Sequence, residues 1–183
     1  YIPFYEGGNY NGLYVDCHTG FTTEDNRSHI FGITQTNEAE FNAYIEKADE
    51  SLIALGYTEH CYPHVLKVAD TASKILLALG HTDREAELAR IAGYLHDIGN
   101  VINRCDHAQS GAFLANDILR ARGFDYGDII DVITAIGHHD EKTAAPVTPL
   151  AAALILADKS DVRRTRVRNR ENVNNDIHDR VNY

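Results

Sequence analysis

The sequence predicts an all-α domain, and three observations carry that expectation. Residues 37–160 contain six segments in which apolar side chains recur at the three-to-four residue spacing of a helix face. Short connections holding glycine, proline and capping residues join them. Almost no stretch of this region alternates apolar and polar residues as a half-buried strand does. Helices linked in this way pack on one another around a single core.

Residues 1–36 are rich in Gly, Tyr, Asn and Thr and have no helical period, so they are expected to form an irregular N-terminal extension with short strands such as 12–17. The first helix is expected over 38–55, ending at Gly56. The second follows Pro63 and carries Val65, Val68, Ala72, Ile75 and Leu79 before Gly80. The third starts after Thr82 or Asp83 and runs to Asp97, with Leu88, Ile91, Ala92 and Leu95 on one face. The fourth begins behind a capping box of Asp106 and Gln109. The fifth covers 126–139, with Ile129, Val132, Ile133 and Ile136 inward, and the sixth follows Thr148 and Pro149. The expected division is extension 1–36, helical domain 37–170 and polar C-terminal segment 171–183.

Composition bounds the function. A chain of 183 residues, 44% apolar and 24% charged, is an ordinary globular protein able to bury one sizeable core. A formal charge of −10 disfavours binding to nucleic-acid duplexes and anionic membranes. The longest apolar run, 150–157, falls far short of the roughly 18 residues of a membrane helix. Cys17, Cys61 and Cys105 are isolated and form no CxxC pair, which predicts reduced thiols, a cytoplasmic protein and no cysteine-based zinc site. No methionine occurs, at position 1 or elsewhere, and no signal-peptide pattern is present, so natural residues are expected to be missing from this sequence.

Helix phase shows where the polar residues point. His64 shares a stripe with Val68 and Ala72, and His96 continues Leu88 and Ala92. His107 lies with Gly111, Leu114 and Ile118, and Asp158 with Leu150 and Leu154. One inward histidine is an ordinary core residue. Several imidazoles buried with two carboxylates are costly unless each finds a partner, and a shared cation satisfies them together. In the tandem pair, His139 extends the Val132 and Ile136 face, whereas His138 follows Asp131 and Thr134 on the polar face. His139 is the better ligand, although a helix end at Gly137 lets both turn inward.

The order His64 in HVLKVAD, His96 and Asp97 in LHDIGN, and Asp158 in ILADKSD resembles the HD superfamily of metal-dependent phosphohydrolases, over residues 58–170. The resemblance implies a helical bundle whose first metal is held by His64, His96, Asp97 and Asp158. His107 in DHAQSGA, and His139 with His138 in IGHHDE, resemble the added ligands of two-metal subfamilies, with Asp97 as the bridge. Such ligation implies divalent transition metals, two of them, Fe or Mn with Zn compatible, and does not suit calcium. His60 stays undecided, since some members with larger centres carry a ligand there. His178 and Asp179 also spell HD, but in a polar stretch, and are read as surface, as are His18, His29 and His81.

The resemblance also implies hydrolysis of a phosphate ester, as phosphomonoesterase or phosphodiesterase, with Asp97 as the catalytic bridge between two cations. Lys159 and Arg163 flank Asp158 and are assigned to the substrate's phosphate, while Arg166, Arg168 and Arg170 read as a solvated face. Members that cleave cyclic dinucleotides carry Lys at the position of Asn100 and Gly-Tyr-Pro at that of DEKTAAP, so the expected partner is a nucleotide or another small phosphorylated molecule. Two other readings stay open, an HD-type di-iron oxygenase and a non-catalytic metal-stabilised module. The oligomeric state is not legible.

Overall fold

The computed structural model describes residues 2–3, 14–16, 20–21 and 35–167, and the chain divides into compact units of residues 1–43 and 44–183. Cys17, His18, His29, Arg168, Arg170, His178 and Asp179 lie outside the described residues. In the first unit, β1 (Ile2–Pro3), β2 (Tyr14–Asp16) and β3 (Gly20–Phe21) form an antiparallel sheet in the order β1-β2-β3, with Val15 opposite Ile2 on one side and Phe21 on the other. Helix α1 (Gln35–Leu55) follows.

The second unit is all-α. It contains α2 (Tyr62–Ala78), α3 (Asp83–Leu95), a 3-10 turn at Ile98–Val101, α4 (His107–Ala121), α5 (Tyr126–Gly137), α6 (Pro149–Ser160) and a second 3-10 turn at Arg164–Arg166. Helix starts follow local chemistry. Thr82 and Glu85 form a reciprocal capping box on α3, and the Ala151 N–H donates to Thr148 Oγ1 at 3.0 Å at the head of α6. Pro63 occupies the first turn of α2, where its missing N–H removes no helical bond.

The core follows the apolar periodicity except at the end of α2, where Leu76 is buried while Ile75 is only part-buried and Leu79 is 71% exposed, a correction to the inward stripe read from sequence. Val68, Ala72 and Leu76 of α2 are buried with Leu88, Ile91, Ala92 and Leu95 of α3, Ile118 and Leu119 of α4, Val132 and Ile136 of α5, and Leu150 and Leu154 of α6. Helix α2 packs on α3 and α6, and α4 on α5. The α2–α3 contact is close because residue 93 is glycine: a Cβ there would lie 2.6 Å from Ala69 Cα. Among the described residues no helix is long and apolar enough to cross a membrane.

Helix ends differ from the periodicity in three places. Helix α3 stops at Leu95; His96 keeps helical angles, but Asp97 turns to φ −98°, ψ 0° and the chain tightens into the 3-10 turn. The expected capping box at Asp106 does not form. Asp106 sits in the left-handed region at φ 57°, makes no side-chain capping bond, and its carbonyl accepts the Ser110 N–H instead. Helix α5 ends at Gly137, so His138 and His139 leave the helix rather than continue it.

Candidate metal centre

Four elements deliver side chains to one buried point. His64 comes from the first turn of α2, His96 and Asp97 from the end of α3, His107 from the head of α4, and Asp158 from α6. His139 arrives from just beyond α5. All six are buried. Gly99 makes the close approach of the 3-10 turn to α4 possible, because a Cβ on it would fall 2.0 Å from the His107 carbonyl oxygen and 2.5 Å from the Gly111 nitrogen. The glycine of HDIG therefore sets how near His107 comes to Asp97.

Asp97 is the hub. Its Oδ2 lies 3.1 Å from His96 Nε2, 3.7 Å from His64 Nε2 and 4.0 Å from His60 Nε2. Its Oδ1 faces His107 Nε2 at 3.4 Å and His139 Nε2 at 3.8 Å. Asp158 Oδ1 adds contacts of 3.3 Å to His64 Nε2 and 3.8 Å to His96 Nε2. His60, undecided from sequence, joins this set and is buried.

The five imidazoles share one orientation. Each commits its Nδ1 hydrogen elsewhere: His60 to the Thr58 carbonyl at 2.8 Å, His96 to Gly93 at 2.8 Å, His107 to Arg104 at 3.1 Å and His139 to Ile136 at 2.6 Å. His64 donates to the Asp161 carboxylate at 2.9 Å. With Nδ1 donating outward, each ring in its neutral form turns its Nε2 lone pair towards the centre, the arrangement that outer partners impose on metal-binding histidines, and His107 Nε2 also has Arg104 Nη1 at 3.2 Å. His64 Nε2, His96 Nε2 and Asp97 Oδ2 are buried with no hydrogen-bond partner. Three acceptors with no donor between them fit a cation. The groups His64–His96–Asp158 and His96–Asp97–His139 each place one ligand atom per residue within 4.8 Å of the others. Mixed imidazole and carboxylate ligation suits a divalent transition metal.

The sequence model of the HD domain matches residues 61–163, more than half of the chain. The chain belongs to the HD domain family. It is 31% identical over 108 residues to ribonuclease Y of Opitutus terrae, covering 59% of this chain and 19% of that protein. Against ribonuclease Y of Thermus thermophilus it is 33% identical over 112 residues, covering 59% and 18%. An uncharacterised protein of Methanocaldococcus jannaschii is 29% identical over 135 residues, covering 62% and 52%. The chain thus spans under a fifth of the two ribonuclease Y proteins and about half of the archaeal one. The crystal structure of a predicted HD superfamily hydrolase from an uncultured Thermotogales bacterium matches with a TM-score of 0.50 at 27% identity over 66% of each chain.

The electrostatics of this HD centre favour metal binding near neutral pH. Burial pushes His60 down to about 3 and His107 down to about 4, so both rings are neutral near neutral pH, whereas at His96 burial is outweighed by the carboxylates of Asp97 and Asp158, which push that ring up. Burial works against the ionised Asp97, but His96 and His60 beside it hold its carboxyl well below the usual range. Asp158 is held low in the same way, burial being outweighed by His64 and Lys159. Both carboxylates are charged ligands.

Several residues lie elsewhere than the sequence implies. His138 is half-buried and belongs to neither of the two ligand groups, because the chain leaves α5 at Gly137 and turns only His139 inward. Arg163 forms a two-pronged contact to Asp161, Nε to Oδ1 at 2.6 Å and Nη2 to Oδ2 at 2.9 Å. Arg166 is a correction: it is fully buried and not a solvated residue. Its Nε donates to the Glu59 carbonyl at 2.9 Å and its Nη1 to the Asp161 carbonyl at 2.6 Å, tying the chain after α6 to the segment before α2. Lys159 contacts Asp158 Oδ2 and Glu141 Oε2, each at 2.8 Å.

Sequence reasoning missed three contributors. Asp161 orients His64, and its one signal was being the single acid in a basic run. Asn100 donates to Asp97 Oδ1 at 3.0 Å and to the Asp97 carbonyl at 2.9 Å, fixing the hub. Arg104 brings its Nη1 within 3.9 Å of Asp97 Oδ1 and 3.2 Å of His107 Nε2. Neither Asn100 nor Arg104 carries a local pattern that announces such contacts.

Proposed function

We propose that this chain is a phosphohydrolase that cleaves a phosphate ester, in a nucleotide or another small phosphorylated molecule, with metal-activated water. The carrying observation is Asp97, whose two oxygens face separate sets of histidine Nε2 atoms. Two bound divalent ions, Fe or Mn with Zn compatible, would supply an acidified water and positive charge for the phosphoryl oxygens. His64, His96, Asp97 and Asp158 would hold the first ion, and Asp97, His107 and His139 the second.

The remaining residues bind and orient. Asn100 fixes Asp97, and Asp161 fixes His64. Lys159 and Arg104 present cations beside Asp158 and Asp97, where they bind phosphoryl oxygens. Arg163, first assigned to substrate, acts through Asp161 in this reading. The ribonuclease Y relatives make a phosphodiester linkage the first substrate to try. Cys61 and Cys105, which form no disulfide among the described residues, fit a reducing, cytoplasmic setting in this reading.

The test is a screen of Mn- and Fe-loaded protein against phosphomonoesters, linear phosphodiesters and short single-stranded RNA, run beside an oxygen electrode. Ester cleavage without O₂ uptake supports the reading. O₂ uptake without cleavage transfers it to the di-iron oxygenases.

A further inference from the structure

Glu141 lies in the link between α5 and α6, two residues past His139, and has no part in the ligand set described above. Its Oε2 accepts from Lys159 Nζ at 2.8 Å, and its Oε1 lies 3.8 Å from Arg104 Nη2. Those cations attach to different halves of the centre. Lys159 also contacts Asp158 Oδ2 at 2.8 Å, and Arg104 Nη1 lies 3.2 Å from His107 Nε2. One carboxylate therefore spans the two cations that border both ligand groups.

A carboxylate offers lysine and arginine the same fork of anionic oxygens that a phosphoryl group does. Glu141 also lines, with Tyr57, Arg104, Asp140 and Lys142, an open cleft, and its side chain is 36% exposed. It occupies a place that solvent and a small anion can reach. The Lys159 and Arg104 side chains are 29% and 18% exposed, so leaving it exchanges one part-buried ion pair for another of like geometry and most of the cost cancels.

We propose that Glu141 is an internal stand-in for the substrate's phosphoryl group. It holds Arg104 and Lys159 in position while the site is empty, and gives them up to a single phosphoryl group when substrate binds. Glu141 thereby sets how tightly phosphorylated ligands are held. This rests on the phosphohydrolase reading and adds a residue that tunes affinity by competition.

The experiment is calorimetric titration of inorganic phosphate into Mn-loaded wild type, Glu141→Gln, Glu141→Ala and the double variant Glu141→Gln/Lys159→Gln. Both single variants are expected to bind phosphate about fivefold more tightly, the scale of one modest ion pair, and the double variant to lose that gain. Unchanged or weaker binding in both single variants overturns the proposal, as does a gain that survives loss of Lys159. The titration needs no turnover. A wild type that cleaves no ester while the Glu141→Gln shift persists counts against the phosphohydrolase reading and leaves the competition in place.

Discussion

His107 and His139 bring their Nε2 atoms to 3.2 Å of one another while each donates its Nδ1 hydrogen to a backbone carbonyl. Burial drives His107 down to about 4, so near neutrality its Nε2 is an unprotonated lone pair aimed at a second nitrogen. Arg104 relieves part of the conflict by standing 3.2 Å from His107 Nε2. A cation shared by both rings and Asp97 Oδ1 relieves all of it.

His107→Ala is therefore expected to lose the ion of the His107–His139 position and keep that of the His64–His96–Asp158 position. Metal analysis of the purified variant beside wild type checks this. Full retention of metal would remove His107 from the centre.

Asp161→Asn keeps an oxygen that accepts from His64 Nδ1 but removes the charge that Arg163 and Arg166 surround. Metal affinity is expected to fall about 10- to 100-fold, the usual effect of losing an outer partner of a ligand. A structural role alone would lower the unfolding midpoint without moving the metal dissociation constant, so both are measured.

What the sequence showed and what it hid divide along a physical line. His64, His96, His107 and Asp158 were legible because each continues an apolar stripe, and such stripes survive folding intact. His139 and His138 were harder, since they lie past Gly137, where helix phase no longer governs direction. Arg166 and Asp161 were misjudged or missed because their contacts, to Glu59 and His64, join segments about a hundred residues apart and leave no local period. The Asp106 capping box failed because a left-handed backbone swings the side chain off the helix end, and composition does not report backbone sign.

Gly99→Ala is expected to be severe, because the added Cβ meets the backbone of His107 at 2.0 Å and of Gly111 at 2.5 Å, besides Ser110 Oγ at 2.7 Å. A cost of about 3 kcal/mol, the upper part of the overpacking range, is expected in denaturant unfolding. Metal loss at the His107 position should accompany it. An unfolding free energy equal to wild type would contradict the packing.

Thr82→Ala removes the hydroxyl half of the α3 capping box, leaves the backbone N–H of residue 82 on Glu85, and should cost about 1 kcal/mol. The backbone N–H and hydroxyl of Thr82, with His81, hold Glu85 down to about 2 from an ordinary 4.5. A depressed carboxyl stabilises the fold above its unfolded value and loses that contribution as pH falls through the folded one. The gap between wild type and variant should thus be full above pH 4.5 and shrink towards pH 2. Thermal unfolding across that window reads it, and a gap that widens on acidification would contradict the assignment.

The most direct test of the account is the metal content and ester turnover of Asp97→Asn, with Asp179→Asn in the second His-Asp pair as control. Asn keeps the size of Asp97 but removes the charge and one of the two oxygens that face the histidines. The account predicts that Asp97→Asn loses metal at both positions and all hydrolysis, while Asp179→Asn matches wild type. An Asp97→Asn protein that keeps both ions and near-normal turnover would contradict it.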